Sequence, residues 1–260
     1  VNCDDNRIPE DKTFETYHEP QQMDKSKWIQ LPRNVILGHD ALLQLPEIIA
    51  DLGVPGSILL LSGETTMQVV GRKIIDLLKT RRIQTAFVGR ITYAEIERIE
   101  GIARDSGVSL IIAAGGGRVI DTAKVVSCHV EIPFVSVPTS ASHDGLTSPR
   151  ASVSTENGKV SIAAAPPLAI VADTGIIATA PHRLLASGYA DTIANYTAIL
   201  DWELSSRLTG ESVSEYASTL SKITAEILVK NADLVRRYDE NAVWMVVKAL
   251  FSSGIAMSIA

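Results

Sequence analysis

The chain has 260 residues, of which 46% are hydrophobic and 21% are charged, and these proportions suit a globular protein with a buried core. A net charge of −6 provides no electrostatic attraction for nucleic acid or an anionic membrane, so we predict neither as a partner. No signal peptide opens the sequence and no stretch matches the ~20 apolar residues of a membrane span, which predicts a cytoplasmic protein without membrane insertion. Cys3 and Cys128 are far apart without metal-like spacing, which favours two free thiols.

Residues 1–27 are polar and lack periodicity, so we expect a flexible N-terminal extension. From residue 28 onward, short apolar runs alternate with helical patterns. We predict strands at 35–37, 58–61, 85–88, 110–114 and 132–137, and helices at 41–52, 65–79, 93–106 and 119–129. This alternation implies right-handed crossovers and a mainly parallel sheet with helices on both faces.

The pattern changes after Pro138. Residues 151–155 and 159–162 flank Glu156-Asn157-Gly158, which is typical of a β-hairpin, and residues 168–172 form one more predicted strand. We therefore predict a Rossmann-like, doubly wound α/β domain over residues 28–178.

Residues 179–260 have helical patterns and form a predicted second, all-helical domain. Apolar residues at a spacing of three to four predict one stripe that faces a core. The residues of this stripe are Val213, Tyr216, Leu220, Ile223, Ile227 and Leu234. A further apolar helix is predicted over residues 241–260.

A glycine-rich turn joins a predicted strand to a predicted helix at Gly115-Gly116-Gly117. Glycines let a ligand approach the backbone, and the free N–H groups at a helix start favour a phosphate group. A dinucleotide pyrophosphate at the carboxyl ends of the strands fits this pattern. Because the turn is neither GxGxxG nor a P-loop, a tight turn without ligand is an equal alternative. In that case Asp121 and Lys124 form a solvated helix pair and Arg118 lies at the surface.

A long polar loop follows the strand predicted at 132–137. Its hydroxyls and amides are able to hold a cofactor or a substrate at the carboxyl end of a sheet. Asp144 is the one carboxylate in this segment and is able to accept hydrogen bonds from a polyol. The alternative is a turn-forming aspartate before Gly145. We expect His143 to be an exposed loop residue rather than a base.

Small residues surround Asp191 in a predicted helix. Asp191 and Asn195 are four residues apart and therefore share a helix face. The small neighbours leave room for a metal or a ligand. By itself such a carboxylate is more often structural, and a metal site needs further ligands.

Together these segments resemble the iron-containing alcohol dehydrogenase and dehydroquinate synthase superfamily, and within it the branch that acts on glycerol 1-phosphate. The resemblance lies in residues 115–124 (GGGRVIDTAK), 137–145 (VPTSASHDG) and 188–195 (GYADTIAN). Residues 31–38 are similar to the first strand of the family. The glycine motif is shared across the superfamily, whereas residues 139–145 are more specific to the glycerol 1-phosphate branch.

The resemblance implies an oxidoreductase that reversibly reduces dihydroxyacetone phosphate to sn-glycerol 1-phosphate, the glycerophosphate of archaeal membrane phospholipids. It implies NAD or NADP as the cofactor and Zn²⁺ as the metal. By position, it implies that Asp144 contacts the substrate and that Asp191 binds both metal and substrate, which makes them the catalytic pair. The implied dinucleotide contacts are Gly115, Gly116, Gly117, Arg118, Val119, Ile120, Asp121, Thr139, Ser140, Ala141, Ser142 and Ser148.

One departure from the family concerns the metal site, which the family completes with two histidines from later helices. The five histidines here do not match those positions; they are His18, His39, His129, His143 and His182. We therefore expect the helical metal and substrate domain over 179–260 to be incomplete. The alternatives are a glycerol dehydrogenase or dehydroquinate synthase, and a catalytically incomplete dinucleotide-binding module. The cofactor preference stays open, as does a homo-oligomeric state.

Overall fold

A six-stranded parallel sheet forms the centre of the protein, in a computed structural model that describes residues 29–260. The strands in chain order are β1 (Asn34–Gly38), β2 (Ile58–Ser62), β3 (Ile83–Phe87), β4 (Leu110–Gly115), β5 (Phe134–Pro138), β6 (Arg150–Thr155), β7 (Gly158–Ala163) and β8 (Ala169–Asp173). Six of them pair in the order β1-β8-β5-β4-β2-β3, all parallel, and β6 and β7 form a separate antiparallel hairpin. The predicted parallel sheet and hairpin are confirmed. The predicted extension over residues 1–27 lies outside the described residues.

Helices cover both faces of this sheet. The helices in chain order are α1 (Leu45–Leu52), α2 (Glu64–Thr66), α3 (Arg72–Leu77), α4 (Tyr93–Asp105), α5 (Gly117–Val130), α6 (Thr174–Ala178), α7 (His182–Thr209), α8 (Glu215–Lys230), α9 (Ala232–Val235) and α10 (Glu240–Ile259). Alternate residues of a strand point to opposite faces of a sheet. Ile58 and Leu60 of β2 accordingly pack in one core with α1 and α3, while Leu59 and Leu61 pack in another with α4 and α5.

Most predicted elements lie within two residues of the observed ones. The predicted helix at 41–52 divides into a 3₁₀ turn at Ala41–Gln44 and α1, which ends at Gly53 with a φ of 66°. The helix predicted at 65–79 is interrupted by a π turn at Met67–Gly71. Strand β3 begins two residues before its predicted start at residue 85.

Three residues of the predicted apolar stripe, all on α8, do not face the core, so the expected inward face is wrong for them. Tyr216 is 84% exposed, and Ile223 and Ile227 are each 49% exposed. The helix instead buries a face formed by Ala217, Thr224, Ala225 and Leu228, of which all but the leucine are small. Helices α7 and α10 both contact α8, and small side chains let helices approach closely. The boundary predicted at residue 179 stays a prediction.

Two further expectations are corrected by the structure. Cys128 is disulfide-bonded, so the expected free thiol is wrong for this residue, while Cys3 lies outside the described residues. By length and composition alone, helix α10 is long and apolar enough to cross a membrane. The expectation that no stretch of the chain meets these two criteria is therefore wrong. Half of the apolar window of α10 is buried, and Val246 and Leu250 are fully inaccessible, as expected for a core helix.

Gly188 allows α7 to pack directly on the loop after β5, and this contact gives a test of the packing. A Cβ atom at Gly188 would overlap the carbonyl oxygen of Ala141, whereas a Cβ at Gly101 of α4 would meet nothing within 4 Å. We expect Gly188→Ala to lower the free energy of unfolding by about 1–3 kcal/mol through overpacking. As a matched control, Gly101→Ala should raise it by up to about 1 kcal/mol, because alanine favours a helix. Urea denaturation measures both, and equal stability of the two variants would contradict the packing described here.

Candidate functional site

Two adjoining cavities open at the carboxyl ends of the parallel strands. The inner cavity, of about 670 Å³, contains Asp144 and Asp191 on its wall. The outer cavity, of about 1110 Å³, lies beside the ends of β2 and β3 and the start of α5. Four residues line both cavities, namely Gly117, Arg118, Ser142 and Lys159. The two cavities are therefore adjacent, and together they are called the groove.

The glycine-rich turn lies at the junction of these cavities. Gly116 precedes α5 and its carbonyl accepts the N–H groups of Val119 at 3.0 Å and Ile120 at 3.2 Å. The N–H groups of Gly117 and Arg118 have no hydrogen-bond acceptor within residues 29–260. They lie at the positive end of the α5 dipole, so this point of the groove is suited to an anionic group.

The packing around the turn requires two of its glycines. A Cβ atom at Gly115 would lie 2.6 Å from Cγ2 of Val119, and a Cβ at Gly117 would overlap the ring of His143. The ring of His143 also accepts a hydrogen bond from the N–H of Gly145 through Nδ1, at 2.9 Å. The expectation of an exposed loop histidine is therefore wrong, because His143 is half-buried and braces the loop after β5 against α5.

Asp121 and Lys124 form a buried ion pair, and the alternative of a solvated helix pair is wrong. The Lys124 side chain is 0% exposed, and its Nζ donates to Oδ1 of Asp121 at 3.0 Å and to the carbonyl of Arg150 at 2.7 Å. The other carboxylate oxygen of Asp121 accepts from the N–H of Ser152 at 3.1 Å. Burial lowers the pKa of Lys124, and the charge of Asp121 opposes that shift. The pair anchors β6 to α5.

The residues predicted to bind the dinucleotide divide into two groups. Those that line at least one cavity are Gly116, Gly117, Arg118, Val119, Asp121, Ser140, Ser142 and Ser148. Gly115, Ile120, Thr139 and Ala141 line neither cavity. Ile120 lies on the buried face of α5 and packs in the core. The N–H of Thr139 donates to the carbonyl of Gly115 at 3.1 Å. The roles of all these residues stay predictions.

The two predicted catalytic carboxylates are close together. Asp144 begins a 3₁₀ turn, Asp144–Leu146, and its N–H donates to Oδ2 of Asp191 at 2.9 Å. Asp191 reaches this turn from α7. Gly117 lines the same inner cavity, so the glycine-rich turn and both carboxylates face one space.

The carboxyl group of Asp144 has an unusual electrostatic environment. Burial, and the nearby charge of Asp191, raise the pKa of Asp144 above its ordinary value. The hydroxyl of Ser253 donates to Oδ2 of Asp144 at 2.9 Å and works in the opposite direction, as do the charges of His143 and Lys124. Two adjacent carboxyls of this kind attract a cation or the hydroxyl groups of a ligand.

The described residues do not complete a zinc site. Within residues 29–260, no group of three or more His, Cys, Asp or Glu side chains is placed to hold a metal ion. A catalytic Zn²⁺ usually has three protein ligands. Asp191, with Asp144 beside it, is short of that number, and Zn²⁺ stays a prediction.

Sequence reasoning missed several residues that line the inner cavity. Arg90, Arg150 and Lys159 add positive charge to its wall, and the last two belong to the β6–β7 hairpin. The hairpin was predicted, but its pattern gives no indication that it packs against α5. Ser253 of α10 was also missed, because nothing in an apolar helix marks one serine as a partner of Asp144.

Sequence comparisons find a matching family model and relatives of high identity. A family model described as iron-containing alcohol dehydrogenase matches residues 36–181. The chain is 64% identical over 255 residues to the NAD(P)+ glycerol-1-phosphate dehydrogenase of Methanocorpusculum labreanum, a match that covers 98% of this chain and 68% of that protein. It is 58% identical over 237 residues to the protein of the same name from Methanosphaerula palustris, covering 91% of this chain and 66% of the relative. The chain thus spans about two thirds of the length of these relatives.

Solved structures show the same fold at low sequence identity. A probable glycerol dehydrogenase from Sinorhizobium meliloti 1021 superposes with a TM-score of 0.76 at 22% identity, over 90% of this chain and 67% of that one. The glycerol dehydrogenase of Schizosaccharomyces pombe gives a TM-score of 0.74 at 22% identity, over 89% of this chain and 62% of that one. At this identity the likeness establishes the architecture alone.

The buried ion pair gives a test of how the hairpin is anchored. We expect Asp121→Ala to lower the free energy of unfolding by about 3–5 kcal/mol, because Lys124 would stay buried without a counter-charge. The double variant with Asp121→Leu and Lys124→Met should recover much of that loss, because no uncompensated charge remains. Thermal and urea unfolding measure both. A double variant that is less stable than Asp121→Ala would show that the pair does not act through charge compensation.

Proposed function

The chain belongs to the iron-containing alcohol dehydrogenase family, and from this membership we propose that it catalyses the reversible reduction of dihydroxyacetone phosphate to sn-glycerol 1-phosphate with NADH or NADPH. Two curated relatives that are 64% and 58% identical to it bear the name glycerol-1-phosphate dehydrogenase. The observation that carries the proposal is the single cavity that Gly117, Asp144 and Asp191 share. It provides an anion site and two carboxyls on the walls of one space.

The cofactor is proposed to lie along the groove, across both adjacent cavities. Its adenosine part would occupy the outer cavity, and its diphosphate would lie at the free N–H groups of Gly117 and Arg118. The side chains of Arg118 and Lys159 line both cavities and add positive charge at that junction. The nicotinamide ring would then extend into the inner cavity, where its hydride faces the substrate carbonyl.

The substrate is proposed to bind between the two carboxyls and the cofactor. Asp144 would accept a hydrogen bond from the free hydroxyl of dihydroxyacetone phosphate and so orient the carbonyl carbon toward the nicotinamide. Asp191 holds the backbone of Asp144 through the 2.9 Å hydrogen bond and faces the same space. Net reduction adds a hydride to the carbonyl carbon and a proton to its oxygen.

The proposal also includes a metal, a cellular location and an oligomeric state. Zn²⁺, with Asp191 as a ligand, is what the family resemblance implies, and the described residues contain only part of a ligand set for it. A cytoplasmic location and the absence of nucleic-acid and membrane partners fit an enzyme with a small-molecule substrate. A homo-oligomeric state stays an open prediction.

An assay of substrates and carboxyl variants tests the proposed reaction. A form of the protein with the full length of its relatives should reduce dihydroxyacetone phosphate and give sn-glycerol 1-phosphate, with glycerol and its oxidised form as comparison substrates. Asp191→Asn should lower kcat/KM by about 100-fold or more, because a positioned charge in the site is lost. Asp144→Asn should mainly raise the KM for dihydroxyacetone phosphate. Asp201→Asn, an exposed carboxylate on the same helix α7, is the matched control and should change nothing.

Product stereochemistry decides between the proposed reaction and its relatives. Formation of the opposite glycerophosphate isomer, or a preference for glycerol, would refute the proposed substrate. Full activity of Asp191→Asn would refute the role of Asp191.

A titration with nicotinamide nucleotides tests the cofactor site independently of turnover. We expect Gly117→Ala to weaken NADPH or NADH binding at least about 10-fold, because its Cβ displaces the ring of His143 and moves the free N–H groups. Gly101→Ala, which meets no neighbour, should bind as the wild type does. Quenching of tryptophan fluorescence measures the Kd. Unchanged affinity in Gly117→Ala would place the diphosphate elsewhere.

A further inference from the structure

A hydrogen-bond relay across two helices holds the side chain of Asp144. The side-chain amide of Asn195, on α7, donates from Nδ2 to Oγ of Ser253 at 3.1 Å. Ser253, on α10, in turn donates from Oγ to Oδ2 of Asp144 at 2.9 Å. Ser253 is only 2% exposed, so water does not replace either of its partners readily.

The relay has a single direction because of the donors and acceptors that it contains. A serine hydroxyl has one proton to donate, and an ionised carboxylate only accepts. Ser253 therefore gives its proton to Asp144 and accepts from the NH₂ group of Asn195. A second carboxylate in place of the amide would compete with Asp144 for that one proton.

Close helix packing brings the relay to the site. A Cβ atom at Gly254 would lie 2.8 Å from the carbonyl oxygen of Asp144 and 3.0 Å from the nitrogen of Ser148, so glycine lets α10 approach the turn. Asn195 lies one helical turn after Asp191 and shares its face of α7. Helix α7 thus holds the backbone of Asp144 directly, through Asp191, and its carboxyl group indirectly, through Ser253.

We propose that Ser253 and Asn195 are positioning residues that fix the orientation of the Asp144 carboxyl toward the substrate, an inference that rests on the proposed function of Asp144. Within residues 29–260, Oδ1 of Asp144 accepts no hydrogen bond, so the Ser253 hydroxyl is the one side-chain donor that sets the rotamer. The oxygen left over is the one available to a substrate hydroxyl. Without the hydrogen bond from Ser253, the charge of Asp191 would repel the Asp144 carboxylate and displace it from this orientation.

Steady-state kinetics of the full-length enzyme test the inference. Ser253→Ala should raise the KM for dihydroxyacetone phosphate about 10-fold, because the hydrogen bond that orients the Asp144 carboxylate is lost. The KM for NADPH should not change. Ser252→Ala is the matched control, because Ser252 is the neighbouring serine and makes no side-chain hydrogen bond within the described chain. Ser253→Thr keeps the hydroxyl and should restore most of the substrate affinity.

The two variants at Asn195 separate two possible effects on the KM: a change in which group receives the Ser253 proton, and a loss of packing volume. Asn195→Asp has nearly the same shape but would draw the Ser253 proton away from Asp144, so it should raise the same KM as strongly as Ser253→Ala does. Asn195→Ala removes more volume but leaves Ser253 free to donate to Asp144, so it should be milder. A purely structural role predicts the opposite ranking.

A double variant tests whether the added charge acts through Ser253 or acts directly on Asp144. If Asn195→Asp acts through Ser253, it should have little further effect in the Ser253→Ala background. An equal effect in both backgrounds would show that the new charge acts directly and would overturn the inference.

The outcomes distinguish this inference from the proposed function. A wild-type enzyme that does not reduce dihydroxyacetone phosphate would overturn both. An active wild type whose KM is the same in Ser253→Ala and Asn195→Asp would overturn the relay alone. Thermal melting of each variant checks the fold, and the Asn195 pair provides the decisive comparison if Ser253→Thr does not fit its buried position.

Discussion

Close packing of the loop after β5 against three helices is the constraint on which the site depends. At each contact a glycine makes room: Gly117 of α5 lies under the ring of His143, Gly188 of α7 under the carbonyl of Ala141, and Gly254 of α10 beside the carbonyl of Asp144. Interiors are packed too densely to absorb an extra methyl group at such points without movement of the backbone. The loop is consequently held from three sides.

This packing explains how separate parts of the chain reach one cavity. The free N–H groups at the start of α5 come from a turn between a strand and a helix, whereas Asp191 comes from a helix more than 70 residues later in the chain. The loop joins them, because the N–H of Asp144 binds Asp191 while His143 rests on Gly117. Free N–H groups that suit an anion and a pair of carboxyls are thereby brought onto the walls of the same space.

Several charged side chains around this space are paired with partners from other elements of the fold. The buried Lys124 is compensated by Asp121, and the two residues fasten the hairpin whose basic side chains line the groove. The carboxyls of Asp144 and Asp191 lie together, where burial raises the pKa of Asp144 and the Ser253 hydroxyl acts against that shift. A ligand with a phosphate group would meet the positive charge of Arg118 and Lys159 in the groove. It would meet the carboxyl oxygens of Asp144 and Asp191 in the inner cavity.

The amino-acid sequence by itself determined the parallel sheet, the hairpin and the glycine-rich turn, because each depends on local patterns of apolar residues, glycines and turn residues. It also pointed to Asp144 and Asp191 through a family resemblance. Tertiary structure alone decided which face of α8 is buried, since the apolar spacing favoured the face of Tyr216, whereas the structure buries the face of Ala217. The same holds for the burial of Lys124 and the relay through Ser253, which depend on contacts between residues far apart in the chain. Local periodicity contains no information about such contacts, because they arise only when helices and loops pack together.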